Sequence, residues 1–299
     1  MIDPELIARI RVPPGKNIRL KDYDTGWAVT DELKALGKDE VKAQSHAVLH
    51  QNLAALAEAQ ELLSAAGTHA VLFVLQAMDA AGKDGTIKHV MAGVNPQGCQ
   101  VFSFKKPSSE ELAHTFLWRC MKVVPERGRI GIFNRSYYED VLITKVHPEI
   151  LAAQKGLPEK KGKSFWKDRY DDINAFERHL TRNGTLVLKF FLNVSKKEQK
   201  RRFLERLDHP AKNWKFSDAD LAERTHWDAY MTAYEDALNA TGTDWAPWYI
   251  IPADKKWAAR AVVADILTTA IHSLDLKYPT LTEAQRAALT RAKEQLLNE

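Results

Sequence analysis

With 299 residues and 33.9 kDa, the chain is long enough for one large or two ordinary domains, and 45% hydrophobic residues support a substantial core. Its 43 basic and 39 acidic side chains leave a formal charge of only +4, so overall charge singles out no class of partner and local clustering has to do so. No apolar run approaches the roughly 18 residues that a bilayer span needs, and Cys99 and Cys120 fit neither a disulfide framework nor a paired zinc motif. Together with the lack of a signal sequence, they point to a reducing cytoplasm and to two inert core thiols.

Residues 1–38 mix charges with Pro13, Pro14, Gly15 and Gly26 and read as an irregular arm around the body. From Asp39 to Ala66, Val48, Leu49, Leu53, Leu56 and Leu62 recur largely at helical spacing until Gly67 ends the helix. The next stretch, VLFVLQAMDAAGKDG from Val71 to Gly85, is the centre of the chain. Val71 to Leu75 is a continuous apolar run, as in a strand buried on both faces, and small residues with a Gly-Lys pair follow at once. That order predicts a strand, a phosphate loop, and a helix opening near Lys83. Backbone N–H groups of Ala80, Ala81, Gly82, Asp84 and Gly85 can converge on phosphate oxygens, with the Lys83 ammonium as an added cation. Against the pattern G-x-x-x-x-G-K-[ST], Ala77 replaces the first glycine and Asp84 the hydroxyl that holds magnesium. Another oxygen must then hold the metal, and Asp79 is placed to do so.

Gln100 to Phe104 reads as a second strand, and Lys105 and Lys106 follow as candidate phosphate contacts. Ser108 with Glu111 has the form of a capping box opening a helix to Lys122. Arg129 to Phe133 is a third strand, whose end delivers Asn134, Arg135 and Glu139. The second acidic metal ligand of a phosphate-loop protein comes from the end of such a neighbouring strand. Here that position is Asn134, so the metal site leans on Asp79 and on Glu139, while Arg135 can clamp a phosphate with both arms of its fork. Lys155 to Arg169, with six basic and two acidic residues, reads as a flexible basic loop, and Phe165 begins a helix to about Arg182.

Thr185 to Val194 is a long apolar strand. After it, SKKEQKRRFLERLDHPAKNWKF carries eight basic and three acidic residues between Lys196 and Lys215. Ser195 and Glu198 open this helix as a second capping box, and Pro210 ends it. A movable cationic helix beside a phosphate loop, with Arg201, Arg202, Arg206 and Lys215, is the arrangement of a lid that closes over a transferring phosphoryl group. Asp218 to Asn239 reads as one helix whose Trp227, Tyr230 and Tyr234 form a core stripe. Trp248 to Ile251 is a fifth strand, followed by a helix from Asp254 to Leu274 and a last one from Thr282 to Leu297. Strand and helix thus alternate from 68 to 274, which predicts an α/β fold with a three-layer α/β/α parallel sheet. The expected layout is a single domain: arm and helix (1–67), core (68–275), lid (about 195–216) and C-terminal helix (282–297).

The segments QAMDAAGKDGTIKHVM, GRIGIFNRSYYEDVL and SKKEQKRRFLERLDHPAKNWKF, in that order and spacing, closely resemble the family-2 polyphosphate kinases. The resemblance covers roughly residues 40 to 275. It implies a thymidylate-kinase-like P-loop fold and transfer of a terminal phosphate, in either direction, between inorganic polyphosphate and AMP or ADP, with guanine nucleotides as further acceptors. It also implies Mg²⁺, with Mn²⁺ as a substitute, and a homodimer or homotetramer. The residues matching Asp79 (metal ligand and base), Lys83, Arg135, Arg202 and Arg206 carry the transfer in that family. Asn134 with Glu139, where many members carry aspartate at the first position, resembles the subgroup that phosphorylates both AMP and ADP. Lys105, Lys106, the 155–169 loop and the lid are the expected electropositive track for polyphosphate. The rival expectations are an ATP-dependent nucleoside monophosphate kinase and a nucleic-acid-binding or regulatory protein. No membrane partner is expected, and Asp79 beside Lys83 argues against nucleic acid.

Overall fold

A computed structural model describes residues 2–159 and 161–299. Five strands form one all-parallel sheet in the order β2-β3-β1-β4-β5. They are β1 (Ala70–Gln76), β2 (Cys99–Ser103), β3 (Ile130–Asn134), β4 (Thr185–Asn193) and β5 (Trp248–Pro252). Every residue of β1 is buried, as its unbroken apolar run predicts for a central strand. Register places Leu75 opposite Asn134 and Gln76 opposite Phe191, so β1, β3 and β4 end side by side. The chain leaves β1 toward β2 and β3 on one side and continues to β4 and β5 on the other. Ligands of open α/β sheets bind at the strand ends where the order reverses in this way.

The helices sort into two groups. On one face pack α1 (Lys38–Ala66), α2 (Lys83–Val90) and the long helix Lys256–His272, which touches both. On the other pack α3 (Glu139–Val146), α4 (Lys163–Arg182) and the helix Trp227–Thr241. Between them along the chain lie α5 (Lys196–Asp208) and α6 (Asp218–Thr225). The later helices are α7 (Trp227–Thr241), α8 (Lys256–His272) and α9 (Glu283–Leu297). Cys120 sits in the core and Cys99 is half-buried, and burial raises the pKa of both thiols.

Five sequence expectations change. The arm contains helices at Pro4–Ile10 and Asp31–Leu36, each with a side-chain cap, from Asp3 and Thr30 respectively. It is stitched to the body: Val12 N donates to Trp248 O (2.9 Å), and Thr25 O accepts from Asp254 N (2.8 Å). The segment 108–122 is two short turns, Ser109–Leu112 and Trp118–Met121, rather than one helix. Its capping box forms, His114 stacks on Trp118, and Arg119 Nη1 donates to Lys105 O (2.8 Å). Helical segments Glu139–Val146 and Pro148–Ala152 lie where no element is expected. The predicted 218–239 helix breaks at His226, and α4 begins at Lys163 rather than Phe165. Lys160, within the predicted basic loop, lies outside the described residues, as does Met1.

Candidate active site

The loop after β1 turns back on itself because Ala80 (φ 60°) and Gly82 (φ 112°) both adopt left-handed backbone, a geometry that aims successive N–H groups into one concavity. At Gly82 it is conformation that demands glycine, not space: an added Cβ would meet Arg202 Nη1 at an ordinary 3.7 Å. Gly82 caps α2, and Lys83 folds its ammonium over the loop, donating to Ala77 O (2.8 Å) and Met78 O (3.4 Å). Burial lowers the Lys83 pKa and nearby Arg135 adds to this, against the pull of Asp79, Glu139 and Asp84.

Across the strand ends, Arg135 also holds a left-handed conformation (φ 63°). Its N–H donates to Leu75 O (3.0 Å), and its Nη2 donates to Asp79 Oδ1 (2.9 Å). Burial opposes its charge, and Glu139 and Asp79 more than offset that, leaving its pKa above the ordinary value. Asn134 Nδ2 donates to Asp84 Oδ1 at 2.8 Å. The two departures from the usual motif therefore meet each other: an amide stands where a second carboxylate would repel Asp84. Glu139 accepts at Oε1 from the Gln76 amide (2.9 Å), whose oxygen accepts from Ser136 N and Oγ (3.1 Å each). Burial raises the Glu139 pKa, while Arg135 and Lys83 oppose the rise.

The helix α5 reaches this loop from the β4 side. Ser195 Oγ caps α5 by accepting from Glu198 N (3.1 Å). The reciprocal half of the expected capping box is missing, because the Glu198 carboxylate binds Arg201 and Arg202 instead (2.8 Å). Buried Arg202 gives Nη1 to Ala80 O (3.0 Å) and Ala81 O (2.5 Å) and Nη2 to Ala253 O (2.6 Å). In this conformation it clasps the phosphate loop's carbonyls. Gln199 Nε2 donates to Asp79 O (3.0 Å), and Arg206 pairs with Asp220 of α6 (3.3 Å).

Two cavities open at the strand ends. The first, about 440 Å³, is bordered among the described residues by nine basic side chains and three carboxylates. It gathers the predicted Asp79, Ala80, Gly82, Lys83, Asp84 and Gly85 from the loop. Lys105, Asn134 and Arg135 border it from the neighbouring strands, and Arg202, Arg206 and Lys215 from the segment that follows β4. The second, about 660 Å³, has an apolar share from Met78, Leu142 and Ile150 and a polar rim that includes Glu139, Asp220 and Glu223. Predicted Lys106 and Glu139 border only this second space, Arg201 and Ala81 border neither, and no described residue of the 155–169 stretch borders either. Asp79, Phe104, Lys105 and Arg135 border both.

Sequence reasoning missed several side chains. Lys256 and Arg260 of α8 face the first cavity, and burial together with the charge of Arg202 lowers the pKa of both. Their i, i+4 spacing just after the last strand is the signal that could have found them. Tyr230 and Tyr234 are buried as the core stripe predicts, yet they also face the second cavity. Tyr230 Oη donates to Glu223 (2.5 Å), whose carboxylate also meets His147 Nε2 (2.9 Å).

Among the described residues no group of three or more His, Cys, Asp or Glu is set to hold a metal. Of the three carboxylates that border the first cavity, Asp79 and Asp84 lie at the phosphate loop, each with one oxygen bonded to a neighbouring side chain. That donor set suits Mg²⁺, which takes one or two carboxylates and completes its shell with water and substrate phosphate. No described helix is long and apolar enough to cross a membrane.

Comparison with known proteins agrees with this geometry. The family model of polyphosphate kinase 2 (PPK2) matches residues 38–279. An ADP-polyphosphate phosphotransferase of Rhodopseudomonas palustris is 54% identical over 260 residues, 86% of this chain and 90% of that protein. An AMP/ADP-polyphosphate phosphotransferase of Meiothermus ruber is 46% identical over 272 residues, covering 91% and 95% of the two chains. The crystal structure of polyphosphate kinase 2 from Arthrobacter aurescens TC1 superposes with a TM-score of 0.82 at 42% identity, covering 94% of this chain and 95% of that one. With a parallel sheet, a phosphate loop at the reversal of strand order and a family match across the body of the chain, this protein belongs to the polyphosphate kinase 2 family.

Proposed function

We propose that the protein transfers the terminal phosphate of inorganic polyphosphate to AMP and ADP, reversibly, with the polyanion in the first cavity and the nucleotide in the second. The observation that carries this reading is that the two cavities differ in chemistry and share Asp79 and Arg135. A crowd of cations, in which burial first and the charge of Arg202 second lower the pKa of Lys256 and Arg260, is relieved by a chain of phosphates. The second cavity offers apolar surface to a base and carboxylates to ribose hydroxyls, with the transfer point at its inner end.

Phosphoryl transfer asks little covalent chemistry of the protein; it needs alignment in line and charge around the moving group. An acceptor phosphate oxygen is already ionised at neutral pH, so no base has to remove a proton from it. Lys83 and Arg135 neutralise the transferring oxygens, and Arg135 also fixes the Asp79 carboxylate. Asp79 and Asp84 would hold Mg²⁺, which supplies charge neutralisation and orientation of the phosphates when bound. Arg206, Lys212 and Lys215 ride on the lid and contribute when it closes, excluding water from the transfer.

The test is product formation from AMP and from ADP with polyphosphate as sole phosphate donor. ADP and ATP are expected to accumulate, and to stop when polyphosphate is omitted. Phosphorylation of AMP that needs ATP and ignores polyphosphate would assign the protein to the ATP-dependent monophosphate kinases instead.

A further inference from the structure

One buried polar cluster takes no part in the site as described. Lys189, in β4, is fully buried, and so is Glu177 of α4. The ammonium donates to Glu177 Oε2 (2.5 Å), Tyr138 Oη (3.0 Å) and Thr241 O (2.8 Å), so each of its three protons has an acceptor. The other carboxylate oxygen, Glu177 Oε1, accepts from the hydroxyls of both Tyr137 and Tyr138, each at 2.8 Å. Trp248 Nε1 closes the far side on Thr241 Oγ1 (2.9 Å).

Stability alone does not call for such a cluster. Desolvating two charges costs several kcal/mol, and well-packed apolar replacements of buried ion pairs are often as stable or more so. What the cluster grips is the informative point. Tyr137 and Tyr138 occupy the short turn between Arg135 and Glu139, and both are fully buried. Arg135 sits in left-handed backbone, which a non-glycine residue keeps only where its surroundings over-determine it. On one side the turn is held by Arg135 N donating to Leu75 O; on the other it is held by two phenols on one carboxylate.

We infer that Glu177 and Lys189 are positioning residues for phosphoryl transfer: by anchoring Tyr137 and Tyr138 they keep Arg135 in its strained turn, with its guanidinium on Asp79. This rests on the role proposed above for Asp79 and Arg135. Loosening the grip displaces a group that acts on the transferring phosphate without altering where either substrate binds. Its effect belongs in kcat, since a misplacement near 1 Å costs up to about 10²-fold.

The experiment compares a Tyr137→Phe/Tyr138→Phe double variant with wild type, using polyphosphate as sole donor and measuring kcat, both KM values and Tm. The substitution keeps both rings and removes only the hydroxyls. We expect kcat to fall at least about tenfold with each KM within about twofold. Tyr278→Phe, which alters an exposed ring remote from the cluster, should leave all values unchanged. A folded double variant with wild-type kcat, or with its change confined to KM, overturns the inference and leaves the cluster a packing device. If the double variant does not fold, Tyr137→Phe alone decides by the same criterion, because it leaves the Tyr138 contacts in place. Asp79→Ala is measured in parallel: loss of transfer there with wild-type kcat in the tyrosine variants defeats only the positioning role. Transfer surviving Asp79→Ala defeats the site assignment itself.

Discussion

Lys105 and Lys106 are adjacent in sequence and alike in chemistry, and the fold separates them. Lys105 has its carbonyl fixed by Arg119 Nη1 and borders both cavities, whereas Lys106 borders the second but not the first. If polyphosphate occupies the cationic cavity, Lys105→Ala should raise its KM roughly tenfold, the worth of one charge-assisted contact. Lys106→Ala should change that KM by less than about twofold. Equal effects in steady-state titrations with polyphosphate would mean that the chain runs past both. At this scale the legible residues were those whose partners lie close in sequence. Asp79 and Lys83 follow one strand by a few positions, and the loop chemistry between them is local. Tyr234 and Glu223 reach the second cavity only through tertiary packing, and nothing adjacent to them in sequence marks the contact, while Lys256 and Arg260 offer only their spacing after the last strand.

At the scale of elements, one carboxylate, Glu198, holds two arginines of α5. Burial pushes the pKa of Glu198 up, yet hydrogen bonds from Arg201 and Arg202 outweigh it and hold the group at about 2, against an ordinary 4.5. Below pH 4.5 the unfolded chain takes up a proton here that the folded chain refuses. The contribution is therefore complete above that pH and is lost as pH falls toward 2. Melting curves from pH 6 to 2.5 should show wild type losing on the order of 3 kcal/mol more than Glu198→Gln over that window. Parallel pH profiles for the two proteins would show that the Arg202 clasp does not depend on this charge. All five strands were legible to within a residue or so at either end, because each is a short apolar run between turn signals. The helices were less so. His226 looks helical in a propensity reading, but the chain must turn there to send α6 over the strand ends while α7 packs on the sheet.

Across the whole molecule, the parallel sheet brings three distant stretches to one edge. The loop after β1, the turn after β3 and α5 after β4 converge because β1 lies between β3 and β4. The arm, which precedes the matched region 38–279, reaches the same edge indirectly. Thr25 binds Asp254, and Asp254 Oδ1 accepts from Ser195 N (2.7 Å) at the start of α5. Alternation of strands and helices made this architecture legible, whereas the arm's route was not, since its partners Asn239, Glu235 and Asp254 lie 221, 215 and 229 positions away in sequence. The central claim is that two chemically different cavities hold the two substrates and meet at Asp79 and Arg135. Its most direct test is a crossed kinetic comparison of Arg260→Ala, on the first cavity alone, with Glu223→Gln, on the second alone. The account predicts that Arg260→Ala raises the KM for polyphosphate about tenfold with the KM for AMP within twofold, and that Glu223→Gln does the reverse. If either variant instead raised both KM values alike, or if Arg260→Ala acted on AMP and spared polyphosphate, the division of the site into two compartments would be wrong.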